Sequence, residues 1–152
     1  MTPTVVGSIE ALRGMAGAEL GPGAPVTIEQ ARIDGFAELT GDRQWIHTDP
    51  ERAAAGPFGA PTAHGFLTLS LVGPLSGALL RVEGTSMSVN YGLERVRFPS
   101  PVPVGASVQA RARIVSVSDV AGGVQALIRV TVEIPGAPKP ACVADTVVRF
   151  YA

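Results

Sequence analysis

Residues 36–71 read FAELTGDRQWIHTDPERAAAGPFGAPTAHGFLTLSL, and this stretch leads into the most apolar segment of the chain. Its last part begins an apolar segment in which leucines recur every four residues, the spacing of one helix face. Leu69 and Val72 widen that apolar stripe beyond the width typical of a surface helix. We therefore expect a helix from near Thr62 to about Leu80 that is buried on most of its sides.

Two shorter helices are predicted upstream of this segment. Thr27 followed by Gln30 has the pattern of a capping box, and apolar residues then recur at helical spacing as far as Gly41. Asp49 is typical of an N-cap, and Pro50 of a first helical position. The sequence thus predicts one helix that ends at Gly41 and another of about two turns after Asp49.

Downstream of residue 85 the apolar period changes to two, which indicates strands with one buried face. The expected strands cover residues 86–98, 107–114, 124–134 and 142–151. The first is interrupted near Gly92, and residues 119–123 supply the turn between the second and the third. A buried helix followed by a run of long antiparallel strands predicts an α+β fold and favours a curved sheet wrapped around a central helix.

The composition narrows the classes of protein. The chain of 152 residues is 46% hydrophobic with a net charge of −1, which excludes disorder and gives no electrostatic signature of a nucleic-acid or membrane-surface ligand. Its single cysteine excludes an intrachain disulfide. Residues 65–80 fall short of the roughly 20 apolar residues that cross a bilayer. We expect one cytoplasmic domain over residues 1–152, without a metal.

Two polar side chains after the first helix are candidates for catalysis. Asp42 and His47 would lie about 140° apart on a continuous helix, so Gly41 should end the helix and let a turn bring them together. Such a pair can hold a water and move its protons. The carboxylate would favour the charged imidazole and raise its pKa. The alternative is that Asp42 caps a turn and His47 is an ordinary loop histidine.

Gly65 stands at the start of the predicted buried helix. Amides in a first helical turn lack intrahelical partners and carry the positive end of the helix dipole. A glycine leaves its N–H open to an oxygen that develops negative charge. The alternative is that Gly65 only permits tight packing, and the residues alone leave both open.

These elements together resemble the motif of MaoC-like (R)-specific enoyl-CoA hydratases. The matching elements are Gly41-Asp42, His47, Asp49-Pro50 and His64-Gly65. Residues 44–47 and 90–92 are similar to the branch that includes nodulation-protein-N-like hydratases. The resemblance covers roughly residues 6–151.

The resemblance implies a hot-dog fold and reversible hydration of a trans-2-enoyl-CoA to the (R)-3-hydroxyacyl-CoA. Asp42 and His47 would hold the water, the Gly65 N–H would bind the thioester oxygen, and no cofactor is implied beyond the CoA of the substrate. Further candidate substrate contacts are Trp45, His64, Phe66, Ser70, Arg95 and Arg97. The arginines would contact a CoA phosphate, whereas Trp45 and His64 are also typical packing residues. In some family members a supporting serine stands near position 73, one turn after Ser70.

Two other functions stay open beside hydration. One is a hot-dog acyl-CoA thioesterase, and the other is a non-catalytic module that binds acyl thioesters. The order Asp42, His47, His64-Gly65 favours hydration over both. Long two-faced strands leave a sheet edge that invites pairing, so we also expect a homodimer.

Overall fold

A computed structural model describes residues 2–152 of the chain, so Met1 of the predicted domain lies outside the described residues. The helices are α1 (Ile9–Leu12), α2 (Gln30–Thr40), α3 (Trp45–Thr48), α4 (Pro50–Ala54) and α5 (Gly65–Gly77). The strands are β1 (Thr4–Val6), β2 (Glu19–Leu20), β3 (Val26–Thr27), β4 (Leu80–Val82), β5 (Met87–Arg97), β6 (Ser107–Val120), β7 (Gly123–Glu133) and β8 (Cys142–Tyr151). None of the helices in this range is long and apolar enough to cross a membrane.

The main sheet is antiparallel, with the strand order β2-β6-β7-β8-β5 and with β3 added on β6. β1 and β4 form a separate parallel pair. The predicted alternation on β6 and β7 is confirmed, because every second residue from Val108 to Ile114 and from Val124 to Val132 is buried. These apolar rows form the core face of the sheet.

α5 packs against this face and contacts β6, β7 and β8. Its residues Leu67, Val72 and Leu75 join the same buried cluster as the sheet residues. The α+β arrangement of a curved sheet around a central helix is therefore as expected. The prediction that α5 is buried on most of its sides is confirmed, since its exposed residues lie along a single stripe and the others are buried or half-buried. The exposed residues are Phe66, which is 69% exposed, Ser70, Pro74 and Gly77.

Several helix boundaries differ from the expected ones. Thr27 does not cap α2 but lies in β3, where its hydroxyl oxygen is 3.0 Å from that of Ser107. Glu29 precedes α2 without a capping side-chain bond. The central helix begins at Gly65 rather than near Thr62, because Thr62 bridges to Pro103 and the Ala63 N–H donates to Val102.

The turn between β6 and β7 is shorter than predicted. β6 continues to Val120, so the turn consists of residues 121–122 only, and Gly122 takes the left-handed conformation with φ 79°. The interruption expected near Gly92 is confirmed as a register shift between Asn90 and Gly92. β8 has the predicted bounds.

Candidate active site

Gly41 ends α2, as predicted. Its φ of 81° is left-handed, which a glycine adopts without strain, and its N–H donates to the Ala37 carbonyl at 2.9 Å. The chain therefore leaves the helix axis directly before Asp42. The Asp42 carboxylate is exposed, and its backbone N–H donates to the Thr40 hydroxyl at 3.3 Å.

His47 lies in α3 and is only 8% exposed. Its Nδ1 is 2.6 Å from the carbonyl oxygen of Thr62. Because a carbonyl oxygen can only accept, Nδ1 must carry the hydrogen, and Nε2 of the neutral ring is left with a free lone pair. The Thr62 carbonyl therefore sets the tautomer in which Nε2 can accept a proton.

The two candidate catalytic side chains converge. A carboxylate oxygen of Asp42 and a ring nitrogen of His47 lie within 4.8 Å of each other. A water that makes hydrogen bonds of about 2.8 Å to two acceptors spans roughly this separation. The loop after Gly41 thus brings carboxylate and imidazole to a distance that one water can bridge.

The pKa of His47 is lowered from its ordinary value, which overturns the expectation that Asp42 raises it. Burial is the largest cause, because it disfavours the charged ring, and His64 acts in the same direction. The hydrogen bond to Thr62 and the charge of Asp42 oppose these effects but do not outweigh them. The arrangement therefore favours a neutral imidazole.

His64, the N-cap of α5, is 2% exposed and lies against the candidate pair. Its ring stacks on that of His47, with centroids 3.8 Å apart and 25° between the planes. Its Nε2 is 2.9 Å from the backbone carbonyl oxygen of Asp42. Its Nδ1 is buried and has no hydrogen-bond partner among the described residues. The Phe36 ring packs on the His64 ring, with centroids 4.9 Å apart.

Asp42, His47 and His64 are residue types that ligate metals, and donor atoms of all three lie within 4.8 Å. A metal binds an imidazole nitrogen along the lone pair, in the plane of the ring. The two rings are stacked, so their planes run nearly parallel and do not meet near the nitrogens. This donor set does not fit one ion held by both histidines.

Gly65 is the first residue of α5, so its N–H has no carbonyl one turn earlier in the helix. A Cβ on Gly65 would lie 3.3 Å from three ring atoms of Phe98. A cavity of about 290 Å³ and another of about 370 Å³ are both lined by His47, Gly65 and Phe98. Gly65 therefore lies in the wall of both cavities, next to the Phe98 ring and beside the candidate pair.

Phe98 was not identified from the sequence. It follows the last residue of β5 and is 40% exposed, yet its ring lies on Gly65 and lines both cavities. In the sequence it is one apolar residue before a proline-rich loop, so only the path of the sheet edge brings it to the site.

The other predicted contacts are spread over the molecule. Phe66 lines the 290 Å³ cavity with Phe98, whereas the Trp45 ring packs against Gly56 and under the Arg52 guanidinium. Trp45 is not among the residues that line the two cavities at His47.

Ser70 lines a different cavity of about 280 Å³ between α5 and the strands β5 and β8. Its hydroxyl donates to the Phe66 carbonyl, not to the candidate pair. Arg95 lies opposite Asp145 on β8, and Arg97 donates to the carbonyl of Val96. Both arginines are exposed and line neither cavity at His47.

The chain is similar to several known proteins. The family model described as MaoC like domain matches residues 13–134. The 3-hydroxyacyl-thioester dehydratase Z of Mycobacterium tuberculosis is 51% identical over 146 residues, which are 95% of this chain and 97% of the relative. Nodulation protein N of Rhizobium leguminosarum is 43% identical, over 88% of this chain and 86% of the relative. The solved (R)-hydratase of Aeromonas caviae superposes with a TM-score of 0.72 at 27% identity, over 88% of this chain and 94% of that one.

Proposed function

The chain belongs to the MaoC-like domain family, and we propose that it catalyses the reversible hydration of a trans-2-enoyl-CoA to the (R)-3-hydroxyacyl-CoA. The single observation that carries the proposal is the distance of at most 4.8 Å between a carboxylate oxygen of Asp42 and a ring nitrogen of His47, in the tautomer that leaves Nε2 of His47 free. Relatives named as dehydratases and hydratases support a hydro-lyase that acts on a thioester.

The water is held between the Asp42 carboxylate and His47 Nε2. The pair takes one proton from this water, and the remaining hydroxide oxygen forms a bond to C3 of the enoyl group. The electron pair of the C2–C3 double bond moves towards the thioester, and the proton returns from the pair to C2. One water is added in total.

Negative charge collects on the thioester oxygen during this step. The Gly65 N–H, at the positive end of the α5 dipole, donates a hydrogen bond to that oxygen. Phe98 covers one side of Gly65. Hydroxyl and proton then arrive from the face on which Asp42 and His47 lie. The likeness to an (R)-hydratase supports the assignment of the product as the (R)-3-hydroxyacyl-CoA.

The CoA portion of the substrate lies outside the two cavities. Arg97 directly precedes Phe98, so we assign a contact with a CoA phosphate to Arg97 and its neighbour Arg95, both of which are exposed. Phe66 and Phe98 contact the thioester region. No redox cofactor is needed, because adding water across the double bond involves no net oxidation or reduction. A cytoplasmic location is part of this proposal.

Two copies of the chain are proposed to pair through β5. It is an edge strand whose residues Met87, Tyr91 and Leu93 are about half exposed. The face of α5 that carries Phe66 and Pro74 is exposed as well. A second copy would satisfy the free backbone groups of the edge and cover apolar surface.

The test of the proposal uses enoyl-CoA substrates of several chain lengths. Hydration lowers the enoyl absorbance and leaves the thioester intact, whereas a thioesterase releases a thiol and a binding module changes neither signal. Cys142 is the only cysteine and is buried, which raises the pKa of its thiol to about 11, so the folded protein gives little background with a thiol reagent. Stoichiometric release of thiol would overturn the hydratase assignment.

A further inference from the structure

Residues 41–44, which carry Asp42, are held mainly by local hydrogen bonds. The Arg43 N–H donates to Gly41, and the Gln44 N–H reaches the Asp42 carboxylate only at 3.5 Å. In residues 2–152, the one hydrogen bond that ties this loop to a residue distant in sequence joins the Asp42 carbonyl to His64 Nε2 at 2.9 Å. Because the carbonyl only accepts, His64 donates through Nε2–H.

His64 is itself fixed in place. Its ring contacts the rings of Phe36 and His47, with centroid distances of 4.9 Å and 3.8 Å, and its backbone forms the N-cap of α5 directly before Gly65. One buried residue therefore connects the backbone of Asp42, the ring of His47 and, through its own backbone, the helix start that carries Gly65.

Packing alone does not explain an imidazole at this position. The Nδ1 atom is buried without a partner among the described residues, and an unsatisfied buried polar atom costs stability. An apolar side chain of similar size would fill the space without that cost. The atom that distinguishes a histidine here is Nε2, which bonds to Asp42.

We propose that His64 is a positioning residue that holds Asp42 at its working distance from His47 through the bond from its Nε2–H to the Asp42 carbonyl. This inference rests on the proposed hydration, since it concerns the geometry of the same site. His64 touches no reacting atom in this role and acts through the backbone of Asp42.

The variants His64→Gln and His64→Asn separate this role from packing. The glutamine amide reaches about as far as Nε2, whereas the asparagine amide ends near the position of Nδ1, and both variants lose the stacked ring. A role limited to packing would lower the thermal midpoint and the activity of both variants alike. We expect His64→Gln to keep kcat within about fivefold of the unaltered protein, whereas His64→Asn loses about 10²-fold with little change in KM, the scale of an ångström-size misplacement.

A second readout does not depend on activity. NMR order parameters of the Asp42 and Arg43 amides should fall in His64→Asn and stay near their original values in His64→Gln. Equal kcat in both variants, or equal order parameters, would overturn the positioning role. An unaltered protein without hydratase activity would instead overturn the proposed function, and the order parameters would still show whether His64 holds the loop.

Discussion

Replacing Gly65 with alanine tests whether its N–H serves the thioester oxygen. The new Cβ would lie 3.3 Å from three ring atoms of Phe98, which lines both cavities together with Gly65. Alanine is favoured over glycine in a helix by up to about 1 kcal/mol, and Phe98 is 40% exposed and can yield by a few tenths of an ångström. The free energy of unfolding should therefore change by less than about 1 kcal/mol.

The activity of Gly65→Ala should change far more than its stability. The methyl group keeps a carbonyl oxygen away from the N–H, and the loss of one such donor costs about 10²–10³-fold in kcat, or about 3–4 kcal/mol of barrier. Enoyl absorbance gives kcat/KM, and chemical denaturation gives the free energy of unfolding. Gly35→Ala in α2 is the matched control, since its Cβ would meet nothing within 4 Å. A stable Gly65→Ala protein with unaltered kcat/KM would refute the role of Gly65.

Three further outcomes follow from the structure. Protonation of His47 removes the Nε2 lone pair, and burial lowers the pKa of this ring. On acidification kcat/KM should therefore fall only below pH of about 6.5. A decrease of kcat/KM that already begins above that pH would contradict the lowered pKa. Asp145→Ala should lower the free energy of unfolding by about 1–3 kcal/mol at pH 7, because Asp145 is 9% exposed and accepts two hydrogen bonds from Arg129. The control is Glu83→Ala in the exposed ion pair with Arg81, which should cost under about 0.5 kcal/mol. The Arg129 guanidinium holds the pKa of Asp145 below its usual range. The stability lost in Asp145→Ala should therefore be largest above pH of about 4 and should shrink as Asp145 becomes protonated at lower pH. Chemical denaturation over a series of pH values measures this loss. Light scattering at micromolar concentration should give twice the 15.6 kDa chain mass, and a monomer mass would contradict pairing through β5.

The features that the sequence predicted well are those with local physical causes. Alternating apolar residues specify β6 and β7, because one face of each strand must be buried. Gly41 ends α2 because a glycine takes a left-handed φ at low cost. That helix end lets the chain turn at Asp42, so that the carboxylate can approach His47.

The features that the sequence did not predict depend on residues far apart in the chain. Thr27 and Gln30 have the spacing of a capping box, but pairing of β3 with β6 takes Thr27 into the sheet. The direction of the pKa shift of His47 is set by burial, with a smaller effect of His64 in the same direction, and these outweigh the hydrogen bond to Thr62 and the nearby carboxylate. Phe98 reaches Gly65 only because the edge strand β5 ends directly before it, beside the start of α5. Local periodicity carries no information about such contacts.

The most direct test of the central claim compares Asp42→Asn, His47→Ala and the double variant in the enoyl absorbance assay. We expect each single variant to fold and to lose about 10²-fold or more in kcat, because each removes one of the two groups that hold the water and move its proton. The kcat of the double variant should be little lower than that of the less active single variant, since substitutions of residues that act as a unit do not have additive effects. Single variants that fold and hydrate enoyl-CoA at the original rate would show that Asp42 and His47 do not hold the reacting water.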